Sequence, residues 1–356
     1  ELDNNLVPIE KSMPADVQLI IDRIIENCEP SLTSVLFLGG AGGSLRAGIT
    51  ENPILLTQAI KKYLVNITCG GAPAYIWPGG GITVMVDVMP DDFSIYLNQV
   101  KNAIGPKTKA IVTVHLFGQC AGMEELIQIA KENNLYIVED TAQAIGAKYI
   151  FKDGTTHQAG TMGHIGTTSF FPSKNLGCFG DGGALMTNDK ALAELSNQIS
   201  NHGSRVRYYH DVVGINSRLD SLQAAVLNEK LKHLEDFSAR RNKAAGFYDH
   251  ALKTVSALEI PGRAKNSTHV FHQYTLKVLN GKRDELKAFL EKKGIPAMVY
   301  YPLPLHQQNV FKGVMDEVKL PVTELLAQQV LSLPMHTELS EEQLNYICAS
   351  VAEFFN

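Results

Sequence analysis

The feature that most constrains this chain is a switch between two hydrophobic periods across residues 82–140. ITVMVDV (Ile82–Val88), KAIVTVHLFG (Lys109–Gly118) and LYIVED (Leu135–Asp140) are near-continuous apolar runs. Between them, SIYLNQVKNAI (Ser94–Ile104) and GMEELIQIAKENN (Gly122–Asn134) carry apolar residues at helical spacing. Strands without alternation are covered on both faces, and amphipathic helices between them make βαβ units around a parallel sheet. Ligands on such sheets lie beyond the carboxyl ends of the strands. Asp140 ends one predicted strand, and Gly118 and Gln119 follow another, so these residues can meet in one crevice. TTSFF (Thr167–Phe171) and GALMTND (Gly183–Asp189) read as further strands, bracketing a turn that holds Lys174.

The rest of the chain divides around this centre. Residues Ser217–Tyr248 read as one long helix, with Leu219, Leu222, Val226, Leu227, Leu231 and Leu234 on an apolar face. Ile260–Asn266 reads as a hinge, followed by strands in FHQYTLKVL (Phe271–Leu279) and AMVYYPLPL (Ala297–Leu305). DELKAFLEKKG is a helix between them, stopped by Gly294. The expectation is a large domain over residues 1–245 and a smaller α+β domain over 246–356. In the first 80 residues, PADVQLIIDRIIENC (Pro14–Cys28) reads as a helix, and SVLFL (Ser34–Leu38) as a short strand followed by glycines. Those glycines do not match G-x-G-x-x-G in register and lack the lysine of a P-loop. They fit an anion-binding turn or a flexible loop equally well.

Composition narrows the function classes. A net charge of -5, with no Lys/Arg block, gives no footprint for nucleic acid. Arg240, Arg241 and Lys243 read as the solvated face of a helix. No apolar run is long enough to span a membrane, and ELDNNLVPIE is too polar for a signal peptide. The five cysteines are widely spaced without metal-type pairing, as in a reduced cytoplasmic protein without a metal site.

Lys174 lies in SFFPSKNLGCFGDGGALMTND (Ser169–Asp189), 34 positions after Asp140 in YIVEDTAQAIGA. A strand running into a Pro/Ser turn, followed by glycines that permit close backbone approach, holds a lysine in place rather than leaving it exposed. An amine for a Schiff base and a carboxylate against a pyridine nitrogen are the two groups pyridoxal phosphate requires. Ser169 and Ser173 supply hydroxyls suited to a phosphate, or simple turn caps. Gln143 could reach the phenolic edge of the ring. Glu139 should point away from Asp140, and His115 reads as a satisfied core histidine ahead of one packed near the cofactor.

The runs VEDTAQAIGA, SFFPSKNLGCFGDGGALMTND, NHG (Asn201–Gly203), YYHDVVGINSRLDSLQAAVL, AMVYYPLPLH and VHLFGQCAGMEEL closely resemble the DegT/DnrJ/EryC1/StrS family of nucleotide-sugar aminotransferases, from about residue 83 onward. The resemblance implies fold type I, a mostly parallel central sheet flanked by helices with a smaller α+β domain. It implies pyridoxal 5′-phosphate as cofactor, passing through pyridoxamine 5′-phosphate, with Lys174 as the Schiff-base lysine in a ping-pong reaction. Asp140 would pair with the pyridine nitrogen, Gln143 approach the ring hydroxyl and Ser169 hold the phosphate. Asn216 would serve the partner subunit's cofactor in a homodimer with shared sites. Glutamate would be the amino donor and a nucleotide-linked keto-sugar the acceptor, with His202, Tyr301 and His306 as candidate substrate contacts. A sister branch of dehydratases carries histidine in place of the lysine, and Lys174 argues against it. The competing reading is a non-catalytic protein of the same fold that binds a nucleotide sugar or a protein partner. The first quarter departs from the family: its Gly-Thr-(Asp/Glu)-Ala-Leu and Thr-Phe-x-Ala-Thr runs are missing. Gly39–Ile49 occupies roughly the first position, where Gly43 and Ser44 could cradle phosphate, and Tyr75 or Trp77 could stack on the ring. An altered working site, a fold without turnover, or a foreign first segment would each account for the departure.

Overall fold

The computed structural model describes residues 34–38, 66–68, 83–313, 315 and 317–356. The helix expected over 14–28, the loop 39–49 with Gly43 and Ser44, and Tyr75 and Trp77 lie outside the described residues.

The apolar runs build one sheet from β1 (Ser34–Leu38), β2 (Asn66–Thr68), β3 (Thr83–Met85), β4 (Ala110–Val114), β5 (Tyr136–Asp140), β6 (Ile165–Ser169) and β7 (Gly183–Thr187). Their order is β1-β7-β6-β5-β4-β2-β3. Pairing is parallel from β3 through β2, β4 and β5 to β6, and β7 runs antiparallel to both of its neighbours. Val114, Asp140 and Thr167 stand side by side in register, so β4 and β5 end at one level and β6 runs two residues further, to Ser169. Of the expected strand Ile82–Val88, Thr83–Met85 joins the ladder, and beyond it Val86 and Val88 remain buried.

Helices α1 (Leu97–Ala103) and α2 (Met123–Glu132) cover the sheet. Met123, Leu126, Ile129 and Ala130 of α2 are buried in one cluster with Ile111 and Ile137. Each large aliphatic side chain so buried contributes roughly 1.5–3 kcal/mol. Helix α3 (Lys190–Ser200) starts on the Asp189 carboxylate, which accepts from the Ala191 and Leu192 amides. The single long helix read from Ser217 to Tyr248 is instead two, α4 (Ser221–Leu231) and α5 (Leu234–Leu252). The break at His233 leaves Leu231 and Leu234 together in a cluster with Phe170, Leu176 and Cys178, beneath the Lys174 turn. Farther along α5, Ala244, Ala245, Tyr248 and Leu252 enter a different core.

That core lies under an antiparallel sheet of β8 (Leu258–Glu259), β9 (Tyr274–Val278) and β10 (Val330–Leu333). Helices α6 (Arg283–Lys292), α7 (Pro321–Gln329) and α8 (Glu341–Phe355) accompany it. AMVYYPLPL is not the strand its composition predicts. Met298 alone bridges to Ser332, and a short 3-10 turn follows at Leu305–Gln307. Pro302 and Pro304 have no amide proton to give a ladder. No helix of the described residues is long and apolar enough to cross a membrane.

The two sheets are joined at Asp87, which is 1% exposed. Its Oδ1 accepts from the Val88 amide (3.0 Å), the Thr323 amide (2.8 Å) and the Thr323 hydroxyl (2.7 Å), and Oδ2 from the Val322 amide (2.9 Å). A carboxylate from the β3 end thus caps the start of α7, where free amides and the helix dipole favour negative charge. Asp87→Ala strands these donors, and we expect a loss of about 2–4 kcal/mol in urea unfolding. A change below about 0.5 kcal/mol would mean that the cap is dispensable.

Candidate active site

The site begins with the period of two in β5. Consecutive side chains leave a strand on opposite faces, so Glu139 and Asp140 part. Glu139 is fully buried: its Oε2 accepts from the Gly160 amide (2.9 Å), and its Oε1 from the Met162 (2.7 Å) and Gly163 (2.5 Å) amides. His115 Nε2 lies 2.9 Å from the same carboxylate, and the Ala121 amide donates to His115 Nδ1. Nδ1 is therefore the acceptor nitrogen and Nε2–H the donor to Glu139. His115 is a structural residue. Asp140, also buried, accepts at Oδ1 from the Ala142 amide (2.9 Å).

Lys174 sits in a closed turn. Its amide donates to the Phe171 carbonyl (2.8 Å), and the Cys178 amide to the Phe170 carbonyl (2.8 Å). A Cβ at Gly177 would lie 2.6 Å from the Pro172 carbonyl oxygen, so only glycine lets the chain fold back this tightly. Burial holds the Lys174 ammonium below the ordinary lysine range, and the Asp140 carboxylate works against that effect. Amine and acid from separate runs of the sequence thus come close enough to act on one another. Ser169, buried at the end of β6, accepts from the Phe171 amide (3.3 Å). Cys178 is a buried thiol whose pKa burial pushes up, and not a ready nucleophile.

Gln143 reaches two partners: Oε1 accepts from the Phe117 amide (2.7 Å), and Nε2 donates to the Tyr301 hydroxyl (3.3 Å). Burial, then the Asp140 carboxylate, pushes the Tyr301 phenol above its ordinary range. Tyr301 therefore belongs to the same group as Asp140, Gln143 and Lys174. His306 is buried and bonds Glu324 of α7 at 3.0 Å. His202 and Asn216 are exposed, and Asn216 bridges to Asn201.

The segment 269–273 was not marked as part of the site: Phe271–Gln273 read as the start of a strand that in fact begins at Tyr274. The Asn175 side chain, next to Lys174, donates to the Val270 carbonyl (2.9 Å), and its Oδ1 meets His272 Nδ1 at 3.2 Å. Arg241, expected on a solvated helix face, is buried instead. Its Nη1 donates to the Phe271, His272 and Met335 carbonyls. A guanidinium whose partners are main-chain carbonyls leaves no charge pattern in a sequence. His269 stacks on Phe271 with ring centroids 3.8 Å apart, and burial pushes its pKa down to about 3. The folded protein then keeps His269 neutral while the unfolded chain binds a proton near pH 6.5. Stability must fall as pH falls through that window, by about 2 kcal/mol from pH 7 to 5 for this residue, and buried His272 adds in the same direction. Urea unfolding at the two pH values should therefore show a smaller pH-dependent loss for His269→Gln than for the parent. Equal losses would contradict the assignment.

The profile of the DegT/DnrJ/EryC1/StrS aminotransferase family matches residues 70–352. The chain is 48% identical to a Geobacillus stearothermophilus protein named a pleiotropic regulatory protein, over 78% of this chain and 73% of that one. It is 42% identical to the UDP-2-acetamido-2-deoxy-3-oxo-D-glucuronate aminotransferase of Pseudomonas aeruginosa, over 76% and 73%. Its fold superposes on S. venezuelae DesV, crystallised with a ketimine intermediate, with a TM-score of 0.83 and 32% identity, covering 97% of this chain and 90% of DesV. A half-buried amine within electrostatic reach of a buried carboxylate, with an amide, a phenol and a hydroxyl from the same part of the fold, is a donor set that fits pyridoxal phosphate. The chain belongs to the DegT/DnrJ/EryC1/StrS family and is a pyridoxal phosphate-dependent aminotransferase.

Proposed function

We propose that this enzyme transfers an amino group from glutamate to the keto carbon of a sugar carried on a nucleoside diphosphate, in two ping-pong half-reactions. The observation that carries the reading is the placement of Lys174, half-buried in its glycine-closed turn and near enough to buried Asp140 for the carboxylate to act on its amine. Pyridoxal phosphate, when bound, supplies an electrophilic carbon and an electron-withdrawing ring. Lys174 Nζ would hold it covalently and, once freed, move the proton at the carbon bearing the amino group. Asp140 would keep the ring nitrogen protonated, Gln143 would hold the ring hydroxyl, and Ser169 the phosphate. The name of the P. aeruginosa relative supports a UDP-linked 3-oxo sugar as acceptor class. Tyr301, hydrogen-bonded to Gln143, is the substrate contact with most support, and exposed His202 is a second. His306 has less, since its Nε2 bonds Glu324.

A homodimer with shared sites belongs to the same proposal. Asn216 is exposed, and nearby in sequence Tyr208 and Tyr209 stand open to solvent. Phe179, in the Lys174 run, is 75% exposed and Leu222 of α4 is 73% exposed, with the Phe179 amide bonded to Gln223 of α4. Apolar surface of this kind favours a partner, and a two-fold axis would let one Asn216 serve the neighbouring site. A boundary between a large domain (1–245) and a small one (246–356) has support from α5, whose later residues pack in the core of the second sheet.

The test is release of 2-oxoglutarate from glutamate by the cofactor-loaded enzyme. Lys174→Ala should abolish it, and Asp140→Asn should slow it about a hundredfold, as loss of one well-placed electrostatic contact does. Full turnover by Lys174→Ala would refute the assignment. Mixing Lys174→Ala with Asn216→Ala chains should restore activity, because one site of the heterodimer regains both residues. Heterodimers that form without activity would place Asn216 in its own subunit's site.

A further inference from the structure

We propose that Asn175 and His272 form a positioning pair that fixes the Lys174 turn against segment 269–273 and so keeps Nζ of Lys174 in its shielded place. The inference rests on the reading of Lys174 as the residue that holds the cofactor. Its geometry is nearly closed. The Val270 carbonyl can only accept, so the Asn175 Nδ2 that lies 2.9 Å from it is the donor and the amide orientation is fixed. Oδ1 therefore faces His272 Nδ1 at 3.2 Å, and Nδ1 carries the proton. Both side chains are buried.

The segment they grip cannot yield easily. Arg241 Nη1 holds the carbonyls of Phe271 (3.0 Å) and His272 (3.4 Å) and ties them to Met335 (3.2 Å). Gly118 (φ +119) packs against it so closely that a Cβ would lie 2.9 Å from the Phe271 amide nitrogen. A rigid segment bonded to the residue beside Lys174 is a fixed stop for an otherwise exposed turn. Lys174 feels Asp140 from β5 and in turn acts on His272, and Tyr301 feels Asp140 from the far side. His272 is kept neutral by burial, then by Lys174 and Arg241. It thus contributes a hydrogen bond rather than a charge. Losing that bond leaves a buried acceptor on Asn175 that is satisfied only by moving toward water, which would carry the turn outward and resolvate the amine.

The test uses the pyridoxal phosphate-loaded protein and the pH midpoint of its visible absorbance band. Asn175→Leu and His272→Phe should each raise that midpoint by about half to one pH unit, because resolvation favours the protonated form of the cofactor-linked Lys174 nitrogen. The double variant should show no further shift, as expected for one shared interaction. The kcat should fall about tenfold with the sugar KM within about twofold, the pattern of a misplaced reacting group. His272→Gln, whose amide can still donate to Asn175, should move the midpoint back toward the parent. Parental midpoints and kcat in both single variants, with only thermal stability lowered, would overturn the inference and leave the Lys174 reading intact. A loaded parent with no visible band would overturn that reading, and this inference with it.

Discussion

Everything at the site depends on how the end of β5 is held. An unpaired carboxylate in a protein interior costs several kcal/mol, and Glu139 is fully buried. It is tolerable because the 160–163 turn aims three amides at it and His115 adds a fourth donor. Such a fully engaged carboxylate fixes the rotation of the strand, and with it the direction in which Asp140 and then Gln143 project. The turn that supplies the amides also packs tightly: a Cβ at Gly163 would lie 2.9 Å from the Ile137 side chain. The residue that faces away from the candidate site thus sets the direction in which Asp140 faces it.

A second constraint is the balance at Lys174. Burial favours the neutral amine, while Asp140 favours the charged one. An amine in full contact with water would be protonated at neutral pH and unable to attack. One sealed from the carboxylate would have no counter-ion when it does carry charge. The turn satisfies both needs by standing half-buried on the Phe170–Leu176–Cys178 cluster, with its outer face, Phe171 to Ser173, open. Residues after α5 complete the enclosure, since Tyr301 and segment 269–273 both come from that part of the chain.

Much of this was legible in the sequence, for physical reasons. Buried parallel strands need unbroken apolar runs, so Ala110–Val114 and Tyr136–Asp140 were readable directly. Lys174 and Asp140 stood out because a lysine in a Pro/Gly-bounded turn and an acid at a strand end are the pair that the proposed chemistry would need. Arg241 did not, because its partners are carbonyls, which every residue has. Asn175 and His272 meet across 97 positions with no periodicity to link them. The break at His233 and the failed strand at Ala297–Leu305 were hidden by composition: a leucine stripe continues through the first, and β-prone residues fill the second around two prolines.

The central claim is that one particular amine, Lys174 Nζ, holds the cofactor. The direct measurement is borohydride reduction of the pyridoxal phosphate-loaded enzyme, followed by peptide mapping of the pyridoxyl label. The account predicts a single label on the peptide containing Ser169–Asp189, at Lys174, with loss of activity in proportion to labelling. A label on another lysine, such as Lys230 beside Phe179, with Lys174 unmodified and activity lost, would contradict it.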